Sequence, residues 1–525
     1  MKNFSNILWT AGILFFCASC YDDKNDYNYT ERENIEVKWE ESYSRIGYNS
    51  MLEIDPQLTP KDEYEYTWKL GKDTISTDPI LSWPVNVPEG NYQLSLWVKS
   101  KTDGLPRTFY SQLFVTTYFS DGWLVAKEID GQTDMDFVRS SSDKVEDVLL
   151  NRVGYRMEGV RGNVTVASGV QFISPVTGEK TTQNLCWLGS TQDAWVLTLG
   201  NMTFQRDYAT MFLDGEPDGM PLLCTYKGYG GACLLRKNSV YWVNSQSWTD
   251  WKYFPKILPD KQEPEFANSV VQCANVLYFY DQRNQRFLFG DQNCNMFTFV
   301  SERKDGMLPP ADVNHTGCRL CYMGVNKFYC TSSDAPAYDR NRTTYGNFYA
   351  VMKDEVSHYV YSVSVAANVW SAPYYNPIEA VTEMQSEKVK EATKFAIHSS
   401  LPFIYYNDAS GNVIHSYDIL AGMERPNVMT FPVGEKITFM KALYFDRMKY
   451  SDNSEDVFDK FVVATVQNGH YKVYFYDMDG YAPDASKQPE VIEGMGEVTS
   501  ITRISKTMNS STGYTSGNFG LGDFE

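Results

Sequence analysis

Residues 276–290, VLYFYDQRNQRFLFG, consist of two apolar, aromatic runs separated by a short polar turn. The runs are rich in Val, Leu, Tyr and Phe, which favour strands, and the turn carries Gln, Arg and Asn. The stretch therefore predicts a β-hairpin. A hairpin alone cannot bury its apolar faces, so this one needs further sheets to pack against it.

Similar hairpins recur between about residues 118 and 506, at irregular spacings of 36 to 72 residues. The spacings centre near the ~40–50 residues of known propeller repeats. Radial packing around one axis would bury all the hairpins, so we predict an all-β chain with a β-propeller of about seven blades over residues 118–506. Two further β-sandwiches are the alternative. The segments are WLVAKEIDG at 123, AWVLTLGN at 194, VYWVNSQSW at 240, VLYFYDQRNQRFLFG at 276, FYAVMKDEVSHYVYSV at 348, FIYYNDASGNVIHSYDI at 403 and FVVATVQNGHYKVYFYD at 461.

Residues 34–117 show a shorter and more regular alternation. YEYTWKL (64–70) and GNYQLSLWVKS (90–100) each place apolar side chains on one face, with turn signals between the strands. This pattern predicts a β-sandwich. Trp68 followed by PEGNYQLSLWV resembles the PKD-type branch of the immunoglobulin-like fold, without the cysteine pair of antibody domains.

The N-terminus carries one charge, Lys2, and then the apolar run ILWTAGILFF (7–16). Ten apolar residues are too few to span a bilayer but suit the core of a signal peptide. Ala18 and Ser19 then precede Cys20, as the small residues before a lipoprotein cleavage site do. Residues 1–19 thus resemble a bacterial lipoprotein signal that leaves Cys20 acylated; an ordinary secretory signal is the alternative.

Residues 20–33 are polar and lack periodicity, so we predict a tether that lifts the folded part off the lipid surface. The acidic start, YDDKND (21–26), resembles the export tag of Bacteroidota surface lipoproteins. We therefore expect a lipid anchor in the outer membrane, facing the extracellular side. Residues 507–525, rich in Gly and Ser, are predicted to be a flexible tail. The net charge of −19 disfavours nucleic acid as a partner.

A search for catalytic motifs gives no positive result, so we do not predict an enzyme. The chain has five histidines and no Gly-x-Ser-x-Gly elbow. His358 and His415 lie on predicted strands, where a structural role is expected. A pair of carboxylates for glycoside hydrolysis could exist among 66 acidic residues, but no motif marks one.

The metal signals are also incomplete, and we expect no cofactor beyond a possible structural calcium ion. The aspartates of DGQTDMD (130–136) and DMDG (477–480) echo the spacing of calcium loops without completing one. His315, Cys318 and Cys321 have the spacing of one zinc knuckle, with Cys330 beyond. However, GCRLCYMGV (317–325) has the pattern of a strand, on which residues three apart point to opposite faces. Buried thiols or one disulfide are therefore expected.

Two aromatic clusters are the candidates for ligand binding. SQSWTDWKYF places Trp248 and Trp251 in a predicted turn, and SAPYYNP places Tyr374 and Tyr375 between prolines. Flat rings on loops suit carbohydrate and peptide surfaces. Packing between blades is the alternative role for these rings.

The layout as a whole resembles the PKD-like family of Bacteroidota surface lipoproteins. The resemblance lies in the acidic lipoprotein start, the sandwich with Trp68, DGWLVAKEIDG (121–131) and ATKFAIHSSLPFIYYNDASGNVIHSYDI (392–419). It implies an accessory subunit of a nutrient-uptake system, with a SusC-like TonB-dependent transporter and a SusD-like lipoprotein as partners and a glycan or peptide as ligand. An exported hydrolase or lyase on a propeller is the second hypothesis, and a purely structural scaffold is the third.

Overall fold

The computed structural model describes part of the sequence. The chain divides into two compact units, Met1–Thr116 and Thr117–Glu525. The described part consists mostly of strands, which confirms the prediction of an all-β chain. Its helices are short, and none of those described is both long and apolar enough to cross a membrane. The described residues are 34–504 except 48–49, 88–89, 117–118, 120–121, 174–179, 214–220, 225–230, 245–253, 257, 259, 261, 274–275, 291–294, 327–346, 365–373 and 447–456.

The first unit contains seven described strands and one turn of 3-10 helix, at Lys61–Glu63. The strands are β1 (Ser42–Gly47), β2 (Met51–Ile54), β3 (Tyr64–Leu70), β4 (Asp73–Ser76), β5 (Leu81–Pro84), β6 (Gly90–Ser100) and β7 (Pro106–Thr116).

These strands form two sheets that share one core. The larger sheet has the order β1-β7-β6-β3-β4, with β1 parallel to β7, and the smaller sheet pairs β2 with β5. Trp68 is fully buried between them, and its indole N–H donates to the carbonyl of Asp78 at 2.8 Å. Burial alternates along β3 and in the second half of β6, as the sequence predicts.

The second unit begins with the strands of two sheets and a short helix, α1 (Val148–Arg152), and continues with further sheets up to Ile504. Turns of 3-10 helix lie at Tyr208–Thr210 and Lys388–Glu391. The first strands are β8 (Gly122–Ile129), β9 (Gln132–Ser140), β10 (Asp143–Val145), β11 (Met157–Glu158), β12 (Asn163–Ile173), β13 (Lys180–Gly189), β14 (Ala194–Thr198), β15 (Phe204–Arg206), β16 (Pro221–Cys224), β17 (Gly231–Arg236), β18 (Ser239–Asn244) and β19 (Phe254–Lys256). The next are β20 (Val271–Cys273), β21 (Val276–Asp281), β22 (Arg286–Gly290), β23 (Met296–Thr298), β24 (Arg319–Val325), β25 (Asn347–Lys353), β26 (His358–Ser364) and β27 (Ile378–Glu383). The last are β28 (Phe395–Ile397), β29 (Phe403–Asn407), β30 (Val413–Asp418), β31 (Met423–Thr430), β32 (Lys436–Asp446), β33 (Val457–Gln467), β34 (His470–Tyr476), β35 (Met478–Asp479), β36 (Ala482–Pro483), β37 (Glu490–Met495) and β38 (Glu497–Ile504).

In the described part of the second unit these strands form seven antiparallel sheets with four strands in the main path, and a separate two-stranded ribbon, β35-β36. Five of the sheets use four consecutive strands, from β12-β13-β14-β15 to β28-β29-β30-β31, and the seventh has the order β32-β33-β34-β37. The first sheet differs, because its order is β10-β9-β8-β38. A strand from the end of the unit thus completes the sheet formed at its beginning.

The sheets bury both faces, which explains why their middle strands lack alternation. All five residues of β14 and of β22 are buried. Apolar clusters lie between each consecutive pair of sheets, and another lies between the seventh sheet and the first. Edge strands of neighbouring sheets are also in contact. We call six of them the inner strands, because each contacts at least one other strand of the group. They are β12, β20, β24, β28, β32 and β38.

Residues 376–394 contain two elements: Ile378–Glu383 is the edge strand β27 of the fifth sheet, and Lys388–Glu391 is a turn of 3-10 helix. Only Ile378 is buried in that strand, so its sequence shows no apolar face. The edge position removes the periodicity that would have identified it.

Candidate functional site

A cavity of about 550 Å³ lies within the second unit, near the starts of the inner strands β12, β28, β32 and β38. The end of β8 and the turn before β12 complete its wall. These elements belong to four different sheets, so the cavity forms only when the sheets have assembled. The lining residues are Glu128, Arg161, Gly162, Asn163, Thr393, Lys394, Phe395, Thr438, Phe439, Met440, Glu497, Val498 and Thr499.

Two carboxylates face each other at this cavity. Glu128 near the end of β8 and Glu497 at the start of β38 are direct cross-strand partners. Burial raises the pKa of Glu128, and the charge of Glu497 raises it further, while the backbone N–H and the guanidinium of Arg161 act in the opposite direction. Like charges placed opposite one another destabilise a sheet. The exposure of Glu497 to solvent and the charge of Arg161 limit the cost of this repulsion.

Close contact between the two backbones holds the carboxylates together. Gly496, with φ of +105°, precedes Glu497, and a Cβ at this position would lie 2.7 Å from the carbonyl oxygen of Glu128. The register then shifts between Val498 and Ser500, so Thr499 occupies a β-bulge. The Thr499 hydroxyl donates to the carbonyl of Gly162 at 2.6 Å, which ties β38 to the turn before β12.

A second bulge places Thr438 at the cavity. The register of β32 against β33 shifts between Ile437 and Phe439, which leaves Thr438 as the extra residue. Thr438 is 8% exposed, and its hydroxyl has no hydrogen-bond partner among the described residues. Buried hydroxyls are nearly always hydrogen-bonded in native proteins.

Two basic residues line the same cavity. Arg161 lies in the turn before β12 with φ of +57°, and no carboxylate of the described residues is within ion-pair distance of its guanidinium. Lys394 precedes β28, and its backbone N–H donates to Oδ1 of Asn407 at 2.7 Å. The same Oδ1 accepts the N–H of Thr393 at 2.9 Å. Asn407 therefore fixes the path of the chain along this wall.

Lys127, the residue before Glu128, belongs to a buried ionic network behind the cavity wall. The ammonium of Lys127 lies 2.6 Å from Oδ1 of Asp136 and 2.8 Å from Oδ1 of Asp147. Burial alone would lower the pKa of Lys127, but the two carboxylates outweigh it and raise the pKa. The hydroxyl of Tyr471 on β34 donates to Oδ2 of Asp136 on β9 at 2.7 Å, which links the seventh sheet to the first. Lys127 therefore stays charged in a structural role.

Most of the aspartates considered for calcium have protein partners. Asp134 accepts the backbone N–H groups of Met135 and Leu149, and Arg156 lies 3.3 Å away. Asp477 pairs with Lys460 at 2.6 Å. No group of three or more His, Cys, Asp or Glu side chains in the described ranges is arranged to hold a metal ion.

The two ligand candidates that the structure describes, Tyr374 and Tyr375, do not line the cavity. Tyr374 is half-buried against Phe289 and Phe297, with ring centroids at 4.7 and 5.0 Å. Tyr375, the next residue, is exposed. Trp248 and Trp251, like the lipidation candidate Cys20, lie outside the described residues.

The histidine and cysteine candidates occupy separate surroundings. His415 is fully buried, where its Nδ1 accepts the N–H of Asn427 at 3.0 Å, and burial lowers the pKa of His358. Cys318 packs in the cluster between the fourth and fifth sheets, and Cys321 packs against the cluster between the fifth and sixth. The two thiols therefore lie on opposite faces of the fifth sheet, as the strand pattern predicts.

A short sequence pattern occurs at the bulges of three inner strands, two of which line the cavity. Three inner strands begin with a charged residue, an apolar residue and then Thr or Cys at the register shift. The apolar residue packs between sheets, and the third residue is displaced by the bulge. The matching triplets are Arg319-Leu320-Cys321, Lys436-Ile437-Thr438 and Glu497-Val498-Thr499.

Comparison with known proteins identifies the N-terminal part of the chain. A sequence profile of the PKD-like family matches residues 20–160, which include the sandwich and the first hairpin of the second unit. No curated protein matches the sequence.

Solved structures that resemble the chain include β-propeller proteins at low identity. A quinonprotein alcohol dehydrogenase-like protein from Bacteroides thetaiotaomicron is 12% identical, with 87% of this chain and 95% of that chain covered and a TM-score of 0.41. A putative 6-phosphogluconolactonase from Bacteroides fragilis is 10% identical, with 74% of this chain and 98% of that chain covered and a TM-score of 0.38. The β-propeller domain of Cps50 (Swd1) from Myceliophteria thermophila is 8% identical, with 66% of this chain and 93% of that chain covered and a TM-score of 0.35.

Proposed function

We propose that the seven sheets of the second unit are the blades of a closed β-propeller. The pairing of β38 with β8 supports this arrangement, because it joins the first and last parts of the unit in one sheet. The apolar cluster between the seventh and first sheets supports it as well. In such a ring the inner strands surround the axis, and the cavity lies at one end of that axis.

The protein is, in this proposal, a lipoprotein anchored through Cys20 in the outer membrane and facing the extracellular side. Support comes from the signal-like residues 1–19 and from the acidic residues that follow Cys20. Residues 20–33 serve as a tether. The match of residues 20–160 to the PKD-like family is consistent with the resemblance to surface lipoproteins that carry such domains.

The proposed activity is binding without catalysis, as an accessory subunit of a SusC/SusD-type uptake system. The observation that carries the binding role is the cavity, in which Glu128, Glu497 and Arg161 come together at the junction of four sheets. A concave site with a few convergent polar groups is typical of ligand-binding positions. The ligand is a small glycan or peptide held before transfer to the transporter.

Affinity purification from native outer membranes tests the partnership. The tagged chain, solubilised in mild detergent, should bring down a TonB-dependent transporter and its SusD-like lipoprotein at fixed stoichiometry. A tagged lipoprotein of unrelated function from the same membranes is the control. Recovery of the chain alone from intact membranes would overturn the accessory role.

One observation favours a second function, that of a glycan or peptide hydrolase. Glu128 and Glu497 form a carboxylate pair, and the raised pKa of Glu128 suits a general acid. Turnover of a glycan or peptide by the purified protein, lost in both Glu128→Gln and Glu497→Gln but kept in Glu355→Gln, would establish this function instead. Glu355 is an exposed residue of the β25–β26 turn and makes a matched control for the loss of one negative charge.

A further inference from the structure

We propose that the outer face of the larger sheet in the first unit binds an uncharged polysaccharide. The outer face is the one turned away from the core that contains Trp68, and its central residues belong to β3, β6 and β7. This site is separate from the cavity, and the inference does not rest on the cavity. It follows from three aromatic rings without partners, from the neutral side chains around them and from the size of the face.

Three aromatic side chains form a line on this face. Trp97 on β6 is the cross-strand partner of Thr108, so Tyr110, two residues further along β7, is its diagonal neighbour. Phe114 lies four residues beyond Tyr110 on the same side of β7. At roughly 3.4 Å per residue, the line from Trp97 to Phe114 is about 20 Å long.

The three rings are accessible and have no partner in the described part of the chain. Tyr110 is 60% exposed, although β7 has a neighbouring strand on each side, and Trp97 and Phe114 are partly exposed. Their side chains make no hydrogen bond or ring contact with any residue that the structure describes. The indoles of Trp39 and Trp68, by contrast, donate to backbone carbonyl oxygens. The indole N–H of Trp97 is therefore available to a hydroxyl group of a ligand.

The burial of Ser95 indicates how longer side chains lie on this face. Ser95 is on the outer side of β6, opposite Tyr110 on one neighbouring strand and Lys69 on the other, yet it is only 8% exposed. Its cover comes from longer side chains that lie along the sheet, and Tyr110 and Lys69 are its direct neighbours. An aromatic ring that lies along a sheet presents its flat side to solvent, which is the side on which a sugar ring stacks.

The side chains around the rings are neutral hydroxyls and amides. Glu65 and Lys99 lie at one end of the face, where they form an ion pair at 3.5 Å, and Lys69 is the other charged residue on this side of the three strands. In a chain with a net charge of −19, such a face complements a ligand that is uncharged and rich in hydroxyl groups. The neutral residues are Thr67, Asn91, Gln93, Ser95, Thr108 and Gln112.

The size of the face favours an extended polymer over a protein or a small molecule. Three strands measure roughly 14 Å across, and the outer residues of β6 extend over roughly 27 Å, so the face covers about 400 Å². A stable protein interface buries about 800 Å² on each partner. Small molecules bind in concave sites that enclose them, which the face of a sheet is not. An extended sugar chain can instead contact the rings in succession.

Affinity electrophoresis of the full chain in a nonionic detergent tests the proposal with defined probes. Each native gel contains one soluble polysaccharide, and the neutral probes are xyloglucan, galactomannan, dextran and soluble starch. Polygalacturonate is the acidic probe. We expect at least one neutral polysaccharide to retard the chain and polygalacturonate to have no effect. Trp97→Ala/Tyr110→Ala should weaken the apparent affinity by tenfold or more, because stacking on two rings is lost.

Two single variants separate a loss of binding from a loss of folding. Tyr110→Ala removes a ring that is mostly exposed, so it should unfold at the temperature of the unaltered protein and still bind more weakly. Met51→Ala removes a similarly exposed apolar side chain from the smaller sheet of the same unit, and it should be retarded as the unaltered protein is. Equal retardation of Trp97→Ala/Tyr110→Ala and the unaltered protein would overturn the proposal.

The remaining outcomes distinguish this inference from the proposed function. Failure of every neutral probe, or equal retardation by polygalacturonate, would reject the polysaccharide site and leave the role of the cavity and the transporter partnership intact. If no polysaccharide binds and Trp97→Ala/Tyr110→Ala no longer recovers the transporter pair in the affinity purification, the face is a protein contact instead. Retardation that is lost in Glu128→Gln/Glu497→Gln but kept in Trp97→Ala/Tyr110→Ala would place the polysaccharide in the cavity and overturn this inference alone.

Discussion

Glu128 and Glu497 are direct cross-strand partners, although one lies near the start of the second unit and the other on its last strand. Their proximity raises the pKa of Glu128 in addition to the effect of burial. The native state therefore binds this proton more tightly than the unfolded chain does. The contribution of Glu128 to stability is favourable below its unfolded pKa and is lost as the pH rises through the folded value.

We expect Glu128→Gln to stabilise the protein at pH 7 by a few tenths of a kcal/mol, because it removes the repulsion. The gain should disappear below roughly pH 4, where Glu128 is protonated in both states. Urea denaturation at both pH values measures the difference, with Glu355→Gln as the control. A loss of stability at pH 7 would mean that the carboxylate has a favourable partner.

Gly496→Ala should destabilise the second unit by more than roughly 3 kcal/mol, through backbone strain and a clash with the carbonyl of Glu128. Gly480→Ala is the matched control, since Gly480 also has positive φ but has open space around its Cβ position. It should cost roughly 1 kcal/mol. Equal losses in the two variants would show that β38 does not approach β8 this closely.

Lys127→Met should cost about 3–5 kcal/mol, because it leaves the fully buried Asp136 without its cation, whereas the partly exposed Asp147 keeps Arg156. Adding Asp136→Asn should restore at least half of that loss, since the amide keeps an acceptor for Tyr471. Lys487→Met, which removes a half-exposed ammonium near Asp477 and Asp484, should cost less than about 1 kcal/mol. Denaturation of the single and double variants measures the coupling.

Adjacent tyrosines should respond differently to truncation. Tyr374→Ala should lower stability by about 2 kcal/mol, because the ring packs on Phe289 and Phe297. Tyr375→Ala should change stability by less than about 0.5 kcal/mol. Should Tyr375 be a ligand contact, as its sequence context suggests, Tyr375→Ala alone would weaken peptide or glycan binding. Unchanged binding in Tyr375→Ala would remove this residue from the candidates.

Membrane attachment should depend on one of two neighbouring cysteines. Cys20→Ser should move the protein out of the membrane fraction, whereas Cys17→Ser should leave it there. Fractionation with detection of metabolically incorporated fatty acid makes the measurement. Retention of labelled Cys20→Ser in the membrane would contradict the lipoprotein assignment.

Local patterns in the sequence were sufficient for many of the strands, but not for all of them. Alternation identifies β3, and paired aromatic runs identify hairpins such as β21-β22, since both depend on neighbouring residues alone. The edge strand β27 was missed because only one of its residues is buried.

The cavity could not be predicted in the same way. Its acidic pair joins β8 to β38 in the first sheet, and Lys394 directly precedes β28 of the sixth sheet, so their proximity depends on how whole sheets assemble. A hydrophobic pattern also says nothing about Lys127, a buried cation within the apolar run of β8. Bulges such as the one at Thr438 add a residue to one strand and change which side chains reach the cavity.

The pairing of β38 with β8 also affects how the molecule is made. During synthesis β8 emerges early, and the edge that β38 will cover stays open until the last strand has left the ribosome. Open strand edges promote aggregation, so the nascent chain requires protection throughout this interval. A product truncated before β38 would lack Glu497 and the wall around it, so only full-length molecules could present the complete cavity.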